Sequence, residues 1–518
     1  MKKLVAILSC AATLAAVAGY ERVGFVQIDN VDGLTAAAAK LGTLLGNPMS
    51  GQLVAGALAA AQPIKFFGPM RSEPGTSALV VLYGDAEKMA SAVPAKDAMG
   101  CVLVYPMTET KAAFLKRHPG SVEKNGVIKV KEITALPSVA AVTNLSYVAF
   151  SADGKWAAKS DSTRCVKAAL KDVSFAQRKM GGDVLRAYLN EKGVKILLQS
   201  VNAVQKERAK GYDANLQNIL KMLTECRGGM FGVKVSGHGL DFGFRMRTMD
   251  GSELMKSVSG RLTSDPFAFV GPDALSAATH AENQGGLTPA ETATFVREVL
   301  ALAKNDFGVD LNPFLLLTEK GSNLRFCVDL AQAFAFVEAR QKDKAFKESI
   351  TKKLADKKFT EQEKAKWKNL MTKFERPLKA EGPAGSFELA IKGRKGKFSV
   401  AERFAATLPE AAQKPVSSVS FASFYSFVRE LLPLCVARLS DQERTNLQPI
   451  LAQLPPEAKG GIASAVWGEK KELRGVLRIS ADELKGLAST FSAFMAYNMM
   501  QQLHQKAGVL PGAVDDDD

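Results

Sequence analysis

The spacing of apolar residues switches repeatedly between a period of two and a helical period along the chain. Apolar runs and period-two segments bounded by turn residues predict strands, whereas apolar residues three and four apart predict helices. In the first half, strands are predicted at 22–28, 77–83, 101–105, 127–130, 147–151, 230–235 and 240–247. Helices are predicted at 33–45 and, as a longer block, over 183–226.

The second half continues the same alternation. Strands are predicted at 266–270, 314–317, 324–330, 387–391, 398–400 and 419–421. Helices are predicted just after Asp273 and near 424–438, and capping boxes predict helix starts at Thr288, Ser440 and Ser480. Glycine-containing turns are predicted at 153–154, 236–239 and 393–396 because glycine permits positive φ.

An internal similarity links the two halves. Gly228-Gly229 opens a strand pair that leads to a helix near Ser252, and Gly460-Gly461 opens another that leads to a helix near Asp482. This pattern favours duplication of one unit, although hairpins that start at glycine and precede a helix are common. The predicted fold class is therefore α+β, with mostly antiparallel sheets covered by amphipathic helices, in two related units at 19–262 and 263–507.

The two ends of the chain have distinctive compositions. Lys2 and Lys3, an apolar stretch and the small residues 16–18 predict a signal peptide over 1–18 and an extracytoplasmic, periplasmic or secreted location. A lipoprotein acylated at Cys10 is the less favoured alternative, because Leu8 is bulky for that type of site. No transmembrane span is expected after cleavage. Residues 508–518, which end in four aspartates, are predicted to form a disordered acidic tail.

Composition narrows the class of protein. Hydrophobic residues make up 47% of the chain, which is enough to build packed cores. The net charge is +15, or +13 once Lys2 and Lys3 are removed with the signal peptide. Such a charge attracts anionic surfaces and polymers. Five cysteines would remain after cleavage. No two of them have C-x-x-C spacing, and the sequence leaves their disulfide pairing open.

Local catalytic and cofactor motifs are missing from the sequence. It contains no G-x-S-x-G elbow, no G-x-x-x-x-G-K-[ST] loop and no H-E-x-x-H pair among its four histidines. We therefore predict no catalytic residues, no metal site and no cofactor. Pairs of carboxylates leave no local motif, so an enzyme with dispersed catalytic carboxylates is one alternative.

The most charged region is a predicted basic helical insertion near 331–379. Between Arg340 and Lys379 there are 14 basic and 6 acidic residues, a net charge of +8, and Phe346, Ile350 and Leu354 recur at helical spacing. The candidate binding residues are Lys352, Lys353, Lys357, Lys358, Lys364, Lys366 and Lys368. One interpretation is a helical segment that docks on an anionic partner; the other is a solvated lysine-rich face.

These patterns together predict an exported, non-catalytic binding or scaffold protein of the cell envelope or the secreted fraction. The predicted partner is an anionic surface or polymer, such as a lipid headgroup or a glycan. Nucleic acid is not expected, because the sequence contains no nucleic-acid-binding motif. A second alternative is a carrier that holds a lipid or other hydrophobic ligand in an internal cavity between sheet and helices.

Overall fold

The computed structural model contains helices, strands and connecting turns. It describes residues 21–46, 52, 62–73, 75–84, 99–136, 139–195, 198, 224–256, 258–262, 265–281, 315–320, 323–328, 361, 365, 387–391, 393–437, 441–452 and 454–507. Four predicted features lie outside the described residues: the signal peptide, the capping box at Thr288, the acidic tail 508–518 and, apart from Glu361 and Ala365, the basic segment 340–379. All seven candidate lysines are therefore outside the described residues.

The described strands and helices follow one another along the whole chain. The strands are β1 Glu21–Asp29, β2 Ser77–Gly84, β3 Met99–Pro106, β4 Val122–Lys124, β5 Val127–Leu136, β6 Val139–Phe150, β7 Trp156–Ser160, β8 Asp183–Asn190, β9 Cys226–Ser236, β10 Gly239–Thr248, β11 Ala274–His280, β12 Leu315–Lys320, β13 Asn323–Val328, β14 Phe387–Ile391, β15 Ser418–Ala422, β16 Ile462–Glu469 and β17 Glu472–Ser480. The helices are α1 Val31–Leu44, α2 Gln62–Phe67, α3 Lys111–Arg117, α4 Thr163–Ala169, α5 Val173–Ala176, α6 Glu253–Lys256, α7 Val400–Thr407, α8 Phe424–Val436, α9 Asp441–Leu451 and α10 Ala481–Ala507. Short 3-10 turns lie at Leu170–Asp172 and Pro409–Gln413.

The chain divides into two compact units. Unit 1 consists of Met1–Thr43, Asn47–Ser259 and Val466–Val476, and unit 2 of Leu44–Gly46, Gly260–Ala465 and Leu477–Asp518. The segment Val466–Val476 therefore belongs to unit 1 although it follows most of unit 2 in sequence. It comprises the end of β16, the start of β17 and the turn between them, where Lys470 has a positive φ of 58°.

Unit 1 is built on a continuous antiparallel sheet. Pairwise register gives the strand order β4-β5-β6-β7-β3-β2-β1-β8-β9-β10. The central strand β1 pairs with both β2 and β8, so Phe25 lies opposite Val81 on one side and opposite Tyr188 on the other. Since side chains alternate between faces along a strand, these three residues point to the same face of the sheet.

Helices pack on both faces of one end of the unit 1 sheet. On one face, Val81, Val104 and Trp156 pack against Val166 and Ala169 of α4. On the opposite face, Tyr105, Ile128 and Val148 pack with Phe67 of α2 and Phe114 of α3. All of these side chains are 2% exposed or less, so burial of apolar area fixes this end of the unit.

Unit 2 contains a smaller sheet in which β11 is central. The strand β11 pairs antiparallel with β14 and with β15. The strands β12 and β13 are antiparallel to each other, and β13 pairs parallel with β14. The small side chains of Ala277 and Ala278 are 0% and 5% exposed.

The described residues therefore form an α+β protein in which antiparallel pairing dominates, as the sequence predicted. The prediction that helices mostly cover the sheets is wrong for the described residues. Strands predominate there, and the helices cover only part of the sheets. None of the helices in the described part of the chain combines the length and apolar composition that a membrane span requires.

Two predicted hairpin turns are confirmed. Gly154, with a φ of 68°, donates its N–H to the carbonyl of Ser151, and the Ser151 N–H donates to the carbonyl of Trp156. In the turn between β9 and β10, Gly239 has a φ of 140° and the backbone N–H of His238 donates to the Ser236 hydroxyl at 3.3 Å. Glycine is needed at both positions because other residues rarely adopt such φ values.

The predicted helical block over 183–226 is wrong at its start. Residues Asp183–Asn190 form β8, which is hydrogen-bonded to β1 and β9 on its two sides. Leu185, Ala187 and Leu189 alternate with polar or aromatic residues, so a period of two is present in the sequence. Pairing on both edges outweighs the helix propensity of the leucines and alanine.

Two predictions in the second half are also wrong. Residues 266–269 form a turn, and Ala274–His280 form the strand β11 where a helix was predicted. The predicted strand 398–400 is instead the start of α7. There the Ser399 hydroxyl accepts from the Glu402 N–H at 3.2 Å and the Glu402 carboxylate accepts from the Ser399 N–H at 2.8 Å. This capping box starts a helix and prevents the predicted hairpin.

Candidate functional site

An arginine-rich surface in unit 1 is the candidate site. Strand register places alternate residues of β8, β9 and β10 on one face of the sheet. Tyr188 lies opposite Met230, which in turn lies opposite Arg245. Arg247 lies opposite Gly228, whose φ of 139° favours glycine. This face continues from the residues of β1 and β2 that carry the helix-covered core, but here it is open.

The wall of the site is formed where the helical cover ends. Phe175 of α5 lies 5.2 Å from Phe25, and Phe25 lies 5.4 Å from Tyr188, measured between ring centroids. The guanidinium carbons of Arg22 and Arg178 each lie 4.3 Å from the centroid of the Phe175 ring. Three aromatic rings and two guanidinium groups therefore form one packed wall, held by cation–π and aromatic contacts.

The wall and the open sheet face enclose a cavity of about 390 Å³, which we call the arginine pocket. The residues that line it are Arg22, Phe25, Gln27, Phe175, Arg178, Arg186, Tyr188, Gly228, Gly229, Met230, Arg245 and Arg247. The lining contains five arginines and no carboxylate. Its chemistry therefore suits a negatively charged group beside an apolar one.

Carboxylates outside the lining hold three of these arginines in place. Arg22 forms an ion pair with Asp172, which also accepts a hydrogen bond from the Tyr83 hydroxyl at 2.9 Å. Arg186 forms a 2.9 Å ion pair with Asp183. Because these carboxylates approach from outside, the guanidinium groups are oriented without placing negative charge in the cavity wall.

Glu472 orients Arg245 in a bidentate contact. Nε and Nη2 of Arg245 donate to the two carboxylate oxygens at 2.6 and 2.7 Å. These hydrogen bonds, with help from Arg474, lower the pKa of Glu472 to about 2, so the carboxylate stays charged. Arg247 lies farther from Glu472, at 3.6 Å, and its side chain is 71% exposed. Its donors are consequently directed mainly to solvent, where a ligand could displace water.

Arg178 lacks a carboxylate partner among the residues that the structure describes. Its side chain is exposed and packs on Phe175. Its backbone carbonyl accepts a 2.8 Å hydrogen bond from the amide of the buried Gln27. This contact fixes the backbone at the rim of the pocket, so the guanidinium is presented from a rigid base.

A groove of about 680 Å³ adjoins the arginine pocket through Arg245 and Arg247, and we call it the charged groove. Its basic lining also includes Arg227, Lys470, Lys471 and Arg474, and its acidic lining is Glu191, Glu469 and Glu472. Basic residues thus outnumber acidic ones in both spaces. Both spaces therefore favour an anionic ligand.

Unit 2 contains a second cluster of charged groups, but it is buried. Arg403 and Glu483 are each 0% exposed. Arg403 donates to the Ser426 hydroxyl at 2.9 Å and to the carbonyl of Gly460 at 3.1 Å. Glu483 accepts from the Ser423 hydroxyl at 3.0 Å and from the Tyr425 N–H at 2.7 Å. We call these residues the buried cluster; Ser423 serves there as a helix cap for α8 rather than as an exposed nucleophile.

Other residues that the sequence singled out have local structural partners. The Ser236 hydroxyl lies in its own turn. His118 ends α3, with Nε2 lying 2.9 Å from the carbonyl of Phe66. Within the described ranges, no group of three or more His, Cys, Asp or Glu side chains is arranged to hold a metal ion.

Sequence reasoning missed the arginine pocket. Arg186 and Tyr188 were assigned to a helix, and Arg22 and Arg178 lie far apart in sequence. The signal that could have found it is the alternation Arg245-Met246-Arg247 beside the glycine-rich strand at Gly228-Gly229. That pattern places two arginines on one face of a hairpin, with Gly228 directly opposite Arg247.

No protein-family model, curated protein or solved structure matches this chain. Its function therefore has to be inferred from the chemistry of its own residues.

Proposed function

We propose that this protein is an exported, non-catalytic binding or scaffold protein that binds an anionic partner through the arginine pocket and charged groove of unit 1. The observation that carries the proposal is the pocket lining of five arginines and no carboxylate. Arginine suits this role because its planar guanidinium donates in a fixed fork to carboxylates and phosphates. The net charge of the chain would also attract an anion from a distance.

The lysine-rich segment is proposed as a second contact with the same partner. Lys352, Lys353, Lys357 and Lys358 lie in a stretch whose spacing predicts an amphipathic helix. Two basic surfaces on one chain would raise the affinity for an extended polyanion through multivalency. A small anion would engage only one surface.

Export is proposed on the N-terminal pattern alone. The small residues Ala16 and Ala18 occupy the positions that a signal peptidase recognises. N-terminal sequencing of the mature protein is expected to start at Gly19. A mature chain that retains Lys2 and Lys3 would contradict export by this route.

We also propose that the two units arose by duplication. The support is that Gly228-Gly229 and Gly460-Gly461 each introduce a strand pair followed by a helix, α6 and α10 respectively. The test is to superpose β9, β10 and α6 on β16, β17 and α10. If the two glycine pairs then do not occupy equivalent positions, the comparison argues against duplication.

Binding to heparin and to vesicles with and without phosphatidylglycerol tests the proposed function. The double substitution Arg245→Gln and Arg247→Gln is expected to lower the salt concentration at which the protein elutes from heparin. Because each sulfate or phosphate that an arginine neutralises releases counterions, binding of this variant should also depend less steeply on salt. The matched control is Lys129→Gln with Lys131→Gln, which removes two exposed charges from β5, outside the pocket.

The lysine segment is tested in parallel with Lys352→Glu, Lys353→Glu, Lys357→Glu and Lys358→Glu combined. If the arginine variant, the lysine variant and the control all behave like the unchanged protein on both heparin and anionic vesicles, the proposed function is wrong. If the control weakens binding as much as the arginine variant, net charge alone is responsible and the pocket is not a site.

A further inference from the structure

We propose that the ligand of the arginine pocket is an anionic amphiphile, in which one carboxylate or phosphate group is joined to a compact apolar body. This inference deepens the proposed function and rests on it. It assigns the apolar body to the aromatic wall and Met230, and the anionic group to Arg245, Arg247 and Arg178.

The apolar half of the pocket is exposed where a purely ionic site would not need it. Met230 is 37% exposed although it lies between Tyr188 and Arg245 on neighbouring strands. Phe175 and Tyr188 are only partly buried and face the same cavity. Apolar surface of this kind gains free energy when a ligand removes it from water. A simple inorganic anion would leave it uncovered.

The wall is rigid before any ligand arrives. Phe175 is packed against Phe25 and contacted by two guanidinium groups at 4.3 Å each. Arg22 is in turn tied to Asp172 and Arg178 to the amide of Gln27 through its backbone. Since little conformational freedom remains to be lost, an apolar body can dock without ordering the wall.

The anionic half has donors available in the lining of the same cavity. Arg247 is 71% exposed and makes only a 3.6 Å contact with Glu472. Arg245 uses Nε and Nη2 for Glu472, which leaves Nη1 for a ligand. The adjoining charged groove extends these donors beyond the pocket. A headgroup can therefore lie at Arg245 and Arg247 with its apolar part directed to the wall.

The size of the pocket limits the ligand. A volume of about 390 Å³ lies in the lower part of the range, about 300–1,000 Å³, that is typical of small-molecule sites. A polymer could lie across the charged groove, but its repeating polar units would gain nothing from Phe175 and Met230. The pairing of charge with apolar surface in one small cavity therefore favours an amphiphile over a glycan.

A set of matched ligands tests this assignment by titration calorimetry. The set consists of inorganic phosphate, octyl phosphate, phenyl phosphate and the neutral octyl glucoside. Octyl phosphate is expected to bind at least about tenfold more tightly than inorganic phosphate, because each methylene that becomes buried tightens binding by about fourfold. Octyl glucoside is expected to bind far more weakly than octyl phosphate because it lacks the charge.

The two phosphate esters distinguish a ligand with an acyl-type apolar body from one with an aromatic body. Tighter binding of octyl phosphate identifies an acyl-type body, and tighter binding of phenyl phosphate identifies an aromatic one; either outcome supports the inference. Equal binding of inorganic phosphate and both esters would overturn it. Equal binding of octyl glucoside and octyl phosphate would also overturn it, since the site would then be only an apolar patch.

Two variants assign the halves of the ligand to the halves of the pocket. Met230→Ser is expected to weaken octyl phosphate binding by about threefold to tenfold and to weaken inorganic phosphate binding by a smaller factor. Arg245→Gln with Arg247→Gln is expected to weaken binding of both ligands. Met230→Leu, which keeps the apolar surface, is the matched control.

Failure of this inference can be told apart from failure of the proposed function. Heparin binding that depends on the arginines, with no gain from an apolar group and no effect of Met230→Ser, would overturn the amphiphile but leave the proposed function standing. Loss of every anion response would overturn both. Melting curves confirm that each variant is folded, and Arg178→Gln, at an exposed position, serves as a second anion-side variant.

Discussion

The arginines of unit 1 and those of unit 2 occupy opposite environments. Arg245 and Arg247 stand on an open sheet face, and their carboxylate partner approaches from one side only. Arg394 and Arg403 of unit 2 have side chains that are 1% and 0% exposed. Arg403 is enclosed by a serine hydroxyl, a backbone carbonyl and nearby carboxylates. The comparison teaches that an arginine on an open sheet face has donors available to a ligand, whereas a buried arginine is enclosed by polar groups of its own fold.

Local backbone structure produces this difference. In unit 1, strand alternation sends Arg245 and Arg247 to the same face, and the helical cover stops at Phe175. In unit 2, Arg403 is in the first turns of α7 and points inward, where its guanidinium carbon lies 5.2 Å from the ring centroid of Phe421. Removing a guanidinium should therefore destabilise unit 2 more than unit 1.

The largest effect is expected for Arg403→Met in the buried cluster. Loss of the guanidinium leaves the Ser426 hydroxyl and the Gly460 carbonyl without this donor and leaves Glu457 and Glu483 less compensated. Breaking a buried ion pair in this way lowers the free energy of unfolding by about 3–5 kcal/mol. Hydrogen exchange measured by mass spectrometry should show faster exchange in α7 and α8. Unchanged exchange in those helices would contradict a structural role for Arg403.

A smaller effect is expected for Glu483→Ala. This substitution leaves the buried Tyr425 N–H without its acceptor, which costs about 1–3 kcal/mol. The Ser423 hydroxyl loses Glu483 but keeps the Ser426 hydroxyl as an acceptor at 2.9 Å. Glu483→Gln keeps an acceptor and should be less destabilising. Equilibrium denaturation in urea compares the two. Equal destabilisation by Ala and Gln would indicate that charge, and not the hydrogen bonds, is what matters at this position.

The pH dependence of Glu483→Gln sharpens the comparison further. Burial raises the pKa of Glu483, and the hydrogen bonds from Tyr425 and Ser423 only partly oppose this. The folded state therefore holds the proton more tightly, so stability falls as pH rises from the ordinary value of 4.5 through the raised pKa. Glu483→Gln should lose this slope. A slope that persists in the Gln variant would have to come from another group.

Arg245→Gln should have the opposite pH signature in unit 1. The pKa of Glu472 is lowered from 4.5 to about 2 by Arg245 and Arg474. Its stabilising contribution is present above pH 4.5 and is lost as pH falls toward 2. Arg245→Gln should raise this pKa and shift acid unfolding to higher pH. The measurement is fluorescence in a Trp367→Phe background, which leaves Trp156 and Trp467 of unit 1 as the tryptophans. An unchanged acid midpoint would contradict the ion pair.

The smallest effect on stability is expected for Arg178→Gln. Loss of an exposed cation–π contact with Phe175 costs about 0.5–1 kcal/mol at most. Binding of an anionic ligand should nevertheless weaken, because the guanidinium lines the pocket. Denaturation and titration of the same sample separate the two effects. A large loss of stability would show that Arg178 belongs with the structural arginines.

The sequence predicted the positions of turns better than the burial and the partners of charged side chains. The turn at 236–239 was correct because glycine has a local reason to occur there. Arg394 was predicted at the tip of a hairpin turn, yet it is buried and forms an ion pair with Glu457, 63 residues away in sequence. No local pattern encodes such a partner.

Glu483 illustrates a prediction that was half correct. The capping box at Ser480 predicted the start of α10, and the Ser480 hydroxyl does accept from the Glu483 N–H at 3.2 Å. The Glu483 carboxylate, however, binds Ser423 and Tyr425 instead of returning to Ser480. The same limit applies to the arginine pocket, because β8 became a strand through pairing with distant β1 and β9.

The carboxylate of Glu483 has a consequence for how far the chain can be shortened. It lies in the first turn of α10 while it satisfies the N-terminus of α8, 58 residues earlier. A chain that stopped after β17 would thus lose a helix and also uncap another that it still contained. Helix α10 for this reason completes the hydrogen bonding of a segment that the ribosome makes well before it.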